Sequence, residues 1–175
     1  MPGETRVAAT PDTVKKFVAF GCDVSVERGA GTASGYLDAA YADQGAELIN
    51  PGDPAVWSQA DILLCVQTPA SASLSRLKRG ALVVGLLSPY GNEALAASLK
   101  QCGLSAMALE LLPRISRAQS ADALSSQANI AGYKSVLLAS AALDRYFPML
   151  MTAAGTVQPA KVVILGAGVA GLQAV

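Results

Sequence analysis

The apolar positions of this chain fall into short runs that switch between two spacings, one suited to helices and one to strands. Thr10-Pro11-Asp12-Thr13 reads as a helix start. Thr10 can cap, Pro11 suits the first helical position, and Asp12 meets the positive helix end. Val14, Phe17 and Val18 supply the apolar stripe and Gly21 closes it. Asp23–Glu27 then alternates as a strand does, Arg28–Gly35 is a Gly/Ala/Thr/Ser loop, and Leu37–Gln44 is a short helix ended by Gly45. The rhythm repeats. Strand Ala46–Ile49, turn Asn50–Asp53, helix Pro54–Ala60, strand Asp61–Val66, helix Ser71–Arg79 and strand Leu82–Leu87 follow in turn. A helix capped by Asn92 and running to Cys102, and a strand Leu104–Leu109, complete the series. Strands that alternate with short helices predict βαβ units and a parallel sheet.

Beyond Leu109 the rhythm breaks. Glu110–Leu124 is polar and irregular. Ser126–Phe147 predicts a longer helix with Ile130, Tyr133, Leu137 and Ala141 on one face, ended by Pro148. A linker from Met149 to Pro159 leads to the strand Lys161–Leu165, which opens a new βα unit. These shifts place a domain boundary near residue 148, with residues 1–148 as one domain and 149–175 as a linker and first βα unit of another.

Composition narrows the classes open to this chain. Of its 175 residues 52% are hydrophobic and only 15% charged, too apolar for disorder and sufficient for a sizeable core. Thirteen basic residues balance thirteen acidic ones, so no charge footprint points to nucleic acid. Histidine is absent, which excludes histidine acids, bases and metal ligands within this chain. Cys22, Cys65 and Cys102 are few, odd in number and far apart. That argues against a zinc site or a disulfide framework and for three small buried residues in a reducing compartment. No run reaches the ~18–20 apolar residues of a membrane span, and Met1–Ala8 carries no signal-peptide core.

Three features carry chemistry. Gly166-Ala167-Gly168-Val169-Ala170-Gly171 follows a strand and opens a helix, the context of a dinucleotide fingerprint. Gly166 allows the tight turn, Gly168 lets backbone approach a pyrophosphate, and Gly171 lets helix and strand pack closely. The acidic residue expected about 20 positions on would fall past Val175. Second, Pro113–Ser125 gathers Arg114, Arg117, Gln119, Asp122 and several hydroxyls between the last strand of one domain and the helix leading to the next. Its chemistry suits a ligand at an interdomain cleft, though a charged loop is more often a solvated surface. Third, Arg6 in Glu4-Thr5-Arg6-Val7 can grip a carboxylate or phosphate, or form a surface ion pair. Together these readings predict an α/β fold: a Rossmann-like (flavodoxin-like) parallel sheet flanked by helices, with the start of a second Rossmann dinucleotide-binding domain.

PGETRVAATPDTVKK, LLPRISRAQSADALSSQANIAGYKSV and TAAGTVQPAKVVILGAGVAG also resemble a known family, across essentially the whole chain. It is that of the NAD(H)-binding first domain of proton-translocating NAD(P) transhydrogenase alpha subunits, related to alanine dehydrogenase. RISRAQSADALSSQANIAGY is the specific part, because generic Rossmann proteins do not share it. The resemblance implies that Arg114, Gln119 and Asp122 position the nicotinamide of NAD(H), with Ile115, Ser116, Ser120, Ala121 and Ser125 in the same pocket. It implies that Gly166, Gly168, Val169 and Gly171 hold the pyrophosphate and adjacent ribose. It further implies hydride transfer from NADH to NADP+ on a separate domain, coupled to proton passage through a membrane domain. The partners would be those two domains and a second copy, in a homodimer at the cytoplasmic side of the inner membrane. No residue would act as acid or base, since two nicotinamides at near-attack distance need none. Against the family pattern the strand before PGETRVA is missing and the chain stops inside the second domain. On that pattern the chain is cut at both ends and the isolated polypeptide is expected to be inactive.

Two other readings compete. Alanine dehydrogenase shares the scaffold, but needs a lysine where Gln67 stands and a histidine near Leu87-Ser88-Pro89-Tyr90. A non-catalytic nucleotide-binding or dimerisation module is the second alternative.

Overall fold

The computed structural model describes residues 3–175. The chain forms two compact units, one up to Pro113 and one of Arg114–Val175. The sequence-based boundary near residue 148 falls inside the second.

The first unit is the parallel α/β architecture expected. It runs α1 (Pro11–Ala19), β1 (Ser25–Glu27), α2 (Asp38–Ala42), β2 (Glu47–Ile49), α3 (Pro54–Trp57) and β3 (Ile62–Gln67). It continues through α4 (Ser71–Leu74), β4 (Leu82–Leu86), α5 (Glu93–Cys102) and β5 (Ser105–Ala108). The strands make two parallel sheets, β1-β2 and β3-β4-β5. Registers such as Val26↔Leu48, Leu63↔Val83 and Val84↔Met107 align their apolar positions. Helix starts follow their caps: Thr10 accepts from the Thr13 N–H, Asp53 from Ala55 and Asn92 from Leu95. Gly103, in the left-handed conformation, ends α5.

Each sheet has its own core. Leu74, Leu77, Ala81, Val83, Leu87 and Leu95 pack at the larger sheet, with Trp57, Leu63 and Leu99 against them. Burying a leucine or valine of this kind contributes about 1.5–3 kcal/mol. Gly85 on β4 has no room for a side chain, because a Cβ there would meet the Cys65 carbonyl of β3. The smaller core holds Val14, Tyr41 and Ala46. Tyr41 is fully buried, yet its hydroxyl donates to the Ala9 carbonyl at 3.0 Å, which satisfies the one polar atom that burial would otherwise leave unpaired. Burial pushes its phenol upward.

Helix α4 ends at Leu74 rather than Arg79. From there the bonds tighten to i→i−3, Arg76 to Ser73 and Leu77 to Leu74, and Leu77 turns into the core. The cysteines depart from expectation too. Cys22 is exposed after α1, and Cys65 and Cys102 are only partly covered. Cys65, on β3, has its thiol raised to about 11 by desolvation.

The second unit begins with a 3-10 turn, Ser116–Ala121, and then α6 (Ala123–Ala142). The helix starts three residues before the predicted one because Asp122 caps it. It stops at Leu143, which is extended, well before Pro148. The carbonyls of Tyr146 and Phe147 are taken instead by the Ala160 N–H at 3.2 and 3.1 Å. The predicted linker contains an antiparallel hairpin, β6 (Leu150–Thr152) with β7 (Gly155–Val157). Residues 161–165, expected as a strand, pair with no strand among the described residues. A strand is stabilised by a ladder partner, and here Val163 and Leu165 are 81% and 94% exposed instead. A last helix, α7 (Val169–Ala174), follows the glycine-rich turn. The apolar positions spaced along α6, Ile130, Tyr133 and Leu137, are exposed, and the residue that packs inward is Gly132.

Candidate functional site

The second unit brings residues of two sequence motifs to one cleft. Gln119, Asp122, Ser125, Ser126, Asn129 and Val169 line a concavity of about 580 Å3. Gln119 comes from the 3-10 turn, Asp122 through Asn129 from the first turns of α6, and Val169 from the start of α7. The volume is in the range of small-molecule and cofactor sites.

Asp122 anchors the arrangement. One carboxylate oxygen accepts the Ser125 N–H at 2.9 Å and the other accepts the Ser125 hydroxyl at 2.6 Å. The side-chain bond from Ser125 comes first, and the backbone bonds and the positive charge of Arg114 add to it. Together they hold the carboxyl below its ordinary range. Asp122 is therefore an ionised helix cap at the mouth of the cleft. Ser125 is committed to it, and Gln119 presents an amide able to donate and accept. Arg114, Ile115, Ser116, Ser120 and Ala121 are exposed on the approach and the 3-10 turn, outside the lining of the cleft.

The glycine turn divides its work. Gly166 has φ +111, open to glycine but not to other residues at ordinary cost. A Cβ on Gly171 would collide with the Gly166 carbonyl and come within 3.5 Å of Ile164. Gly168, the cap of α7, has nothing within 4 Å where a side chain would stand, so its backbone lies open. Of this motif Val169 lines the cleft; Gly166, Gly168 and Gly171 do not.

Sequence reasoning missed Ser126 and Asn129. They lie four residues after Asp122 and Ser125, the spacing that puts side chains on one helix face. A helix begun at Asp122 makes the series visible.

A second set of polar groups lies at the carboxyl edge of β3 and β4. The Arg6 guanidinium grips Glu4 through two contacts of 2.8 Å, and the Gln67 amide donates to the same carboxylate at 2.5 Å. These bonds, chiefly from Arg6, hold Glu4 down at about 2. Of the two readings open for Arg6, the structure holds it in an ion pair. Ser88 adopts φ +49, and its N–H donates to the Glu110 carboxylate. No helix among the described residues is long and apolar enough to cross a membrane.

Comparison with known proteins agrees along the whole chain. Residues 1–131 match the family model "Alanine dehydrogenase/PNT, N-terminal domain", and residues 135–175 match "Alanine dehydrogenase/PNT, C-terminal domain". The chain is 45% identical to an NAD(P) transhydrogenase subunit alpha polypeptide of Rhodospirillum rubrum, with 99% of this chain and 46% of that protein aligned. It is 33% identical to alanine dehydrogenase of Mycobacterium tuberculosis, over 98% of this chain and 46% of that protein. The solved transhydrogenase of Sinorhizobium meliloti superposes with a TM-score of 0.94 at 47% identity, covering 99% of this chain and 52% of that one. An L-alanine dehydrogenase structure gives 0.82 at 30% identity, covering 98% of this chain and 47% of that one. The chain thus spans about half the length of these relatives, and its fold is the Rossmann-like dehydrogenase fold they share.

Proposed function

Because the chain belongs to the alanine dehydrogenase/PNT family, we propose that it is the NAD(H)-binding part of a proton-translocating NAD(P) transhydrogenase. The observation that carries this reading is the single cleft that unites Gln119, Asp122 and Ser125 with Val169. The residues suit a dinucleotide. Gly168 leaves backbone uncovered for a pyrophosphate, and the amide and hydroxyl groups of the cleft suit a carboxamide and a ribose. When bound, NAD(H) supplies the hydride that passes to NADP+ on a separate domain.

The chain's own residues orient rather than react. Asp122, held ionised by Ser125 and Arg114, fixes the start of α6 and with it the edge of the pocket. Gln119 and Arg114, with Ile115, Ser116, Ser120 and Ala121 around them, set the nicotinamide's angle. Gly166, Gly168, Val169 and Gly171 hold the phosphates. Such placement replaces acid–base catalysis, consistent with a chain that has no histidine. In this reading residues 1–148 form the first domain and 149–175 open the NAD-binding one. The partners are the NADP(H)-binding and membrane domains and a second copy of the chain, at the cytoplasmic face of the inner membrane.

Alanine dehydrogenase is the nearer rival. Gln67, where that enzyme needs a lysine, is tied to Glu4, and the Ser88 segment, where it needs a histidine, is tied to Glu110. The missing lysine and histidine, not these bonds, favour the transhydrogenase.

The test uses the full-length protein with its NADP(H)-binding partner. Single-turnover hydride transfer from NADH to an NADP+ analogue is expected, and Arg114→Ala or Asp122→Asn should slow it by about 100-fold, the cost of a misplacement near 1 Å. Unchanged rates in both variants would refute the assigned roles. Oxidation of NADH with pyruvate and ammonia, and none with the NADP+ analogue, would move the protein to the rival.

A further inference from the structure

The longest helix of the second unit has a polar and small-residue face that runs on past Asp122 and Ser125 to residues the function above leaves unused. Asp122, Ser125, Ser126, Asn129 and Gly132 lie along it at helical spacing. Gly132 meets α7 so closely that a Cβ would collide with the Ala170 carbonyl. Ala170 is the neighbour of Val169, which lines the cleft from α7. One turn before Gly132, Asn129 donates from Nδ2 to the Gln173 Oε1 of α7 at 2.6 Å, and Asn129 itself lines the cleft.

These contacts fix a dimension. The loop of Gln119 sits at the start of α6 and the glycine turn at the start of α7, so the separation of the two depends on how α7 seats on α6. A side chain at position 132 would force Ala170, and Val169 with it, away from α6.

We propose that Asn129 and Gly132 are positioning residues for the dinucleotide: they latch the glycine-rich helix to the helix that carries the Gln/Asp loop, and so set the width of the cleft. This rests on the NAD(H) reading above. NADH must be held by both motifs at once, whereas ADP engages the phosphate turn without reaching the nicotinamide loop. A latch therefore acts on NADH and spares ADP.

The test is calorimetric titration of the full-length protein with NADH and, separately, with ADP. Asn129→Ala should weaken NADH about 10-fold and ADP less than 2-fold. Gly132→Ala should weaken NADH further. The exchange Asn129→Gln with Gln173→Asn, which keeps the amide pair, should restore NADH affinity to within about 3-fold. If Gly132→Ala does not fold, the Asn129 variant and the exchange decide. Equal losses for both ligands, or none for either, overturn the latch while the NAD(H) reading stands. A wild-type protein that binds neither ligand overturns that reading first, and the latch with it.

Discussion

Leu74, Val83 and Leu87 in the first unit are each about 1% exposed, while the longest helix of the second unit leaves Ile130, Tyr133 and Leu137 open to solvent. Every buried apolar side chain among the described residues precedes Pro113. The Gln119/Asp122 cleft lies wholly after it. The first unit is held by apolar packing under parallel strands. The second holds its shape through caps, an amide pair and backbone-to-backbone contact at glycines. Fold stability and candidate chemistry thus rest on different parts of the chain and on different forces, and substitutions should separate them.

The largest effect should come from the first unit's core. Leu74→Ala removes a side chain packed among Leu77, Val83 and Leu87, and should destabilise by about 2–5 kcal/mol. Urea unfolding measures that loss, and NADH affinity of the remaining folded full-length protein should stay within about 2-fold of wild type. A core substitution that changes affinity as much as stability would break the division between the units.

A smaller effect separates the two roles of Asp122. Asp122→Ala removes the cap of α6 and should lower the thermal midpoint by about 2–4 °C. Asp122→Asn keeps a competent cap, since asparagine caps about as well as aspartate, and should lower the midpoint by less than about 1 °C. Its loss should fall on the proposed hydride transfer instead, because the charge that interacts with Arg114 is gone. Equal midpoint shifts for the two substitutions would mean that the charge, not the cap, holds the helix start.

The same contrast governs what could be read from sequence. In the first unit local signals agree with one another. Thr10 and Asn92 cap where expected, Gly103 stops α5, and alternating or continuous apolar runs mark β1 to β5. In the second unit they compete. Ile130, Tyr133 and Leu137 lie at helical spacing, but α6 packs through Gly132, whose lack of a side chain leaves no periodic trace. The hairpin Leu150–Val157 was hidden because Ala153, Ala154 and Gly155 at its turn give it the composition of a linker. Val162–Leu165 has strand composition, yet composition does not supply a ladder partner. At the cleft, Gln119, Asp122, Ser125 and Val169 were legible because their motifs are distinctive. Ser126 and Asn129 were not, because the helix was started too late to show that they share the face of Asp122.

The smallest effect is electrostatic and compares one carboxylate from each unit. Glu4 is held at about 2 by Arg6 and Gln67, against an ordinary 4.5, and Asp122 is lowered by Ser125 and Arg114. A depressed carboxylate contributes stability that is fully present above its unfolded value and is lost as pH falls through the folded one. For Glu4 that window runs from 4.5 down to about 2. Glu4→Gln cannot be protonated, so it should lose the charge contribution at pH 6 and show a shallower decline across the window. Arg6 is 42% exposed, so the difference should stay below about 1 kcal/mol and shrink in salt. Unfolding midpoints of wild type and Glu4→Gln at pH 6, 4 and 2.5 measure it. Parallel declines would show that the first unit's acid sensitivity lies elsewhere than in the Glu4–Arg6 pair, and Asp122→Asn, carried through the same series, would then show whether the second unit carries it.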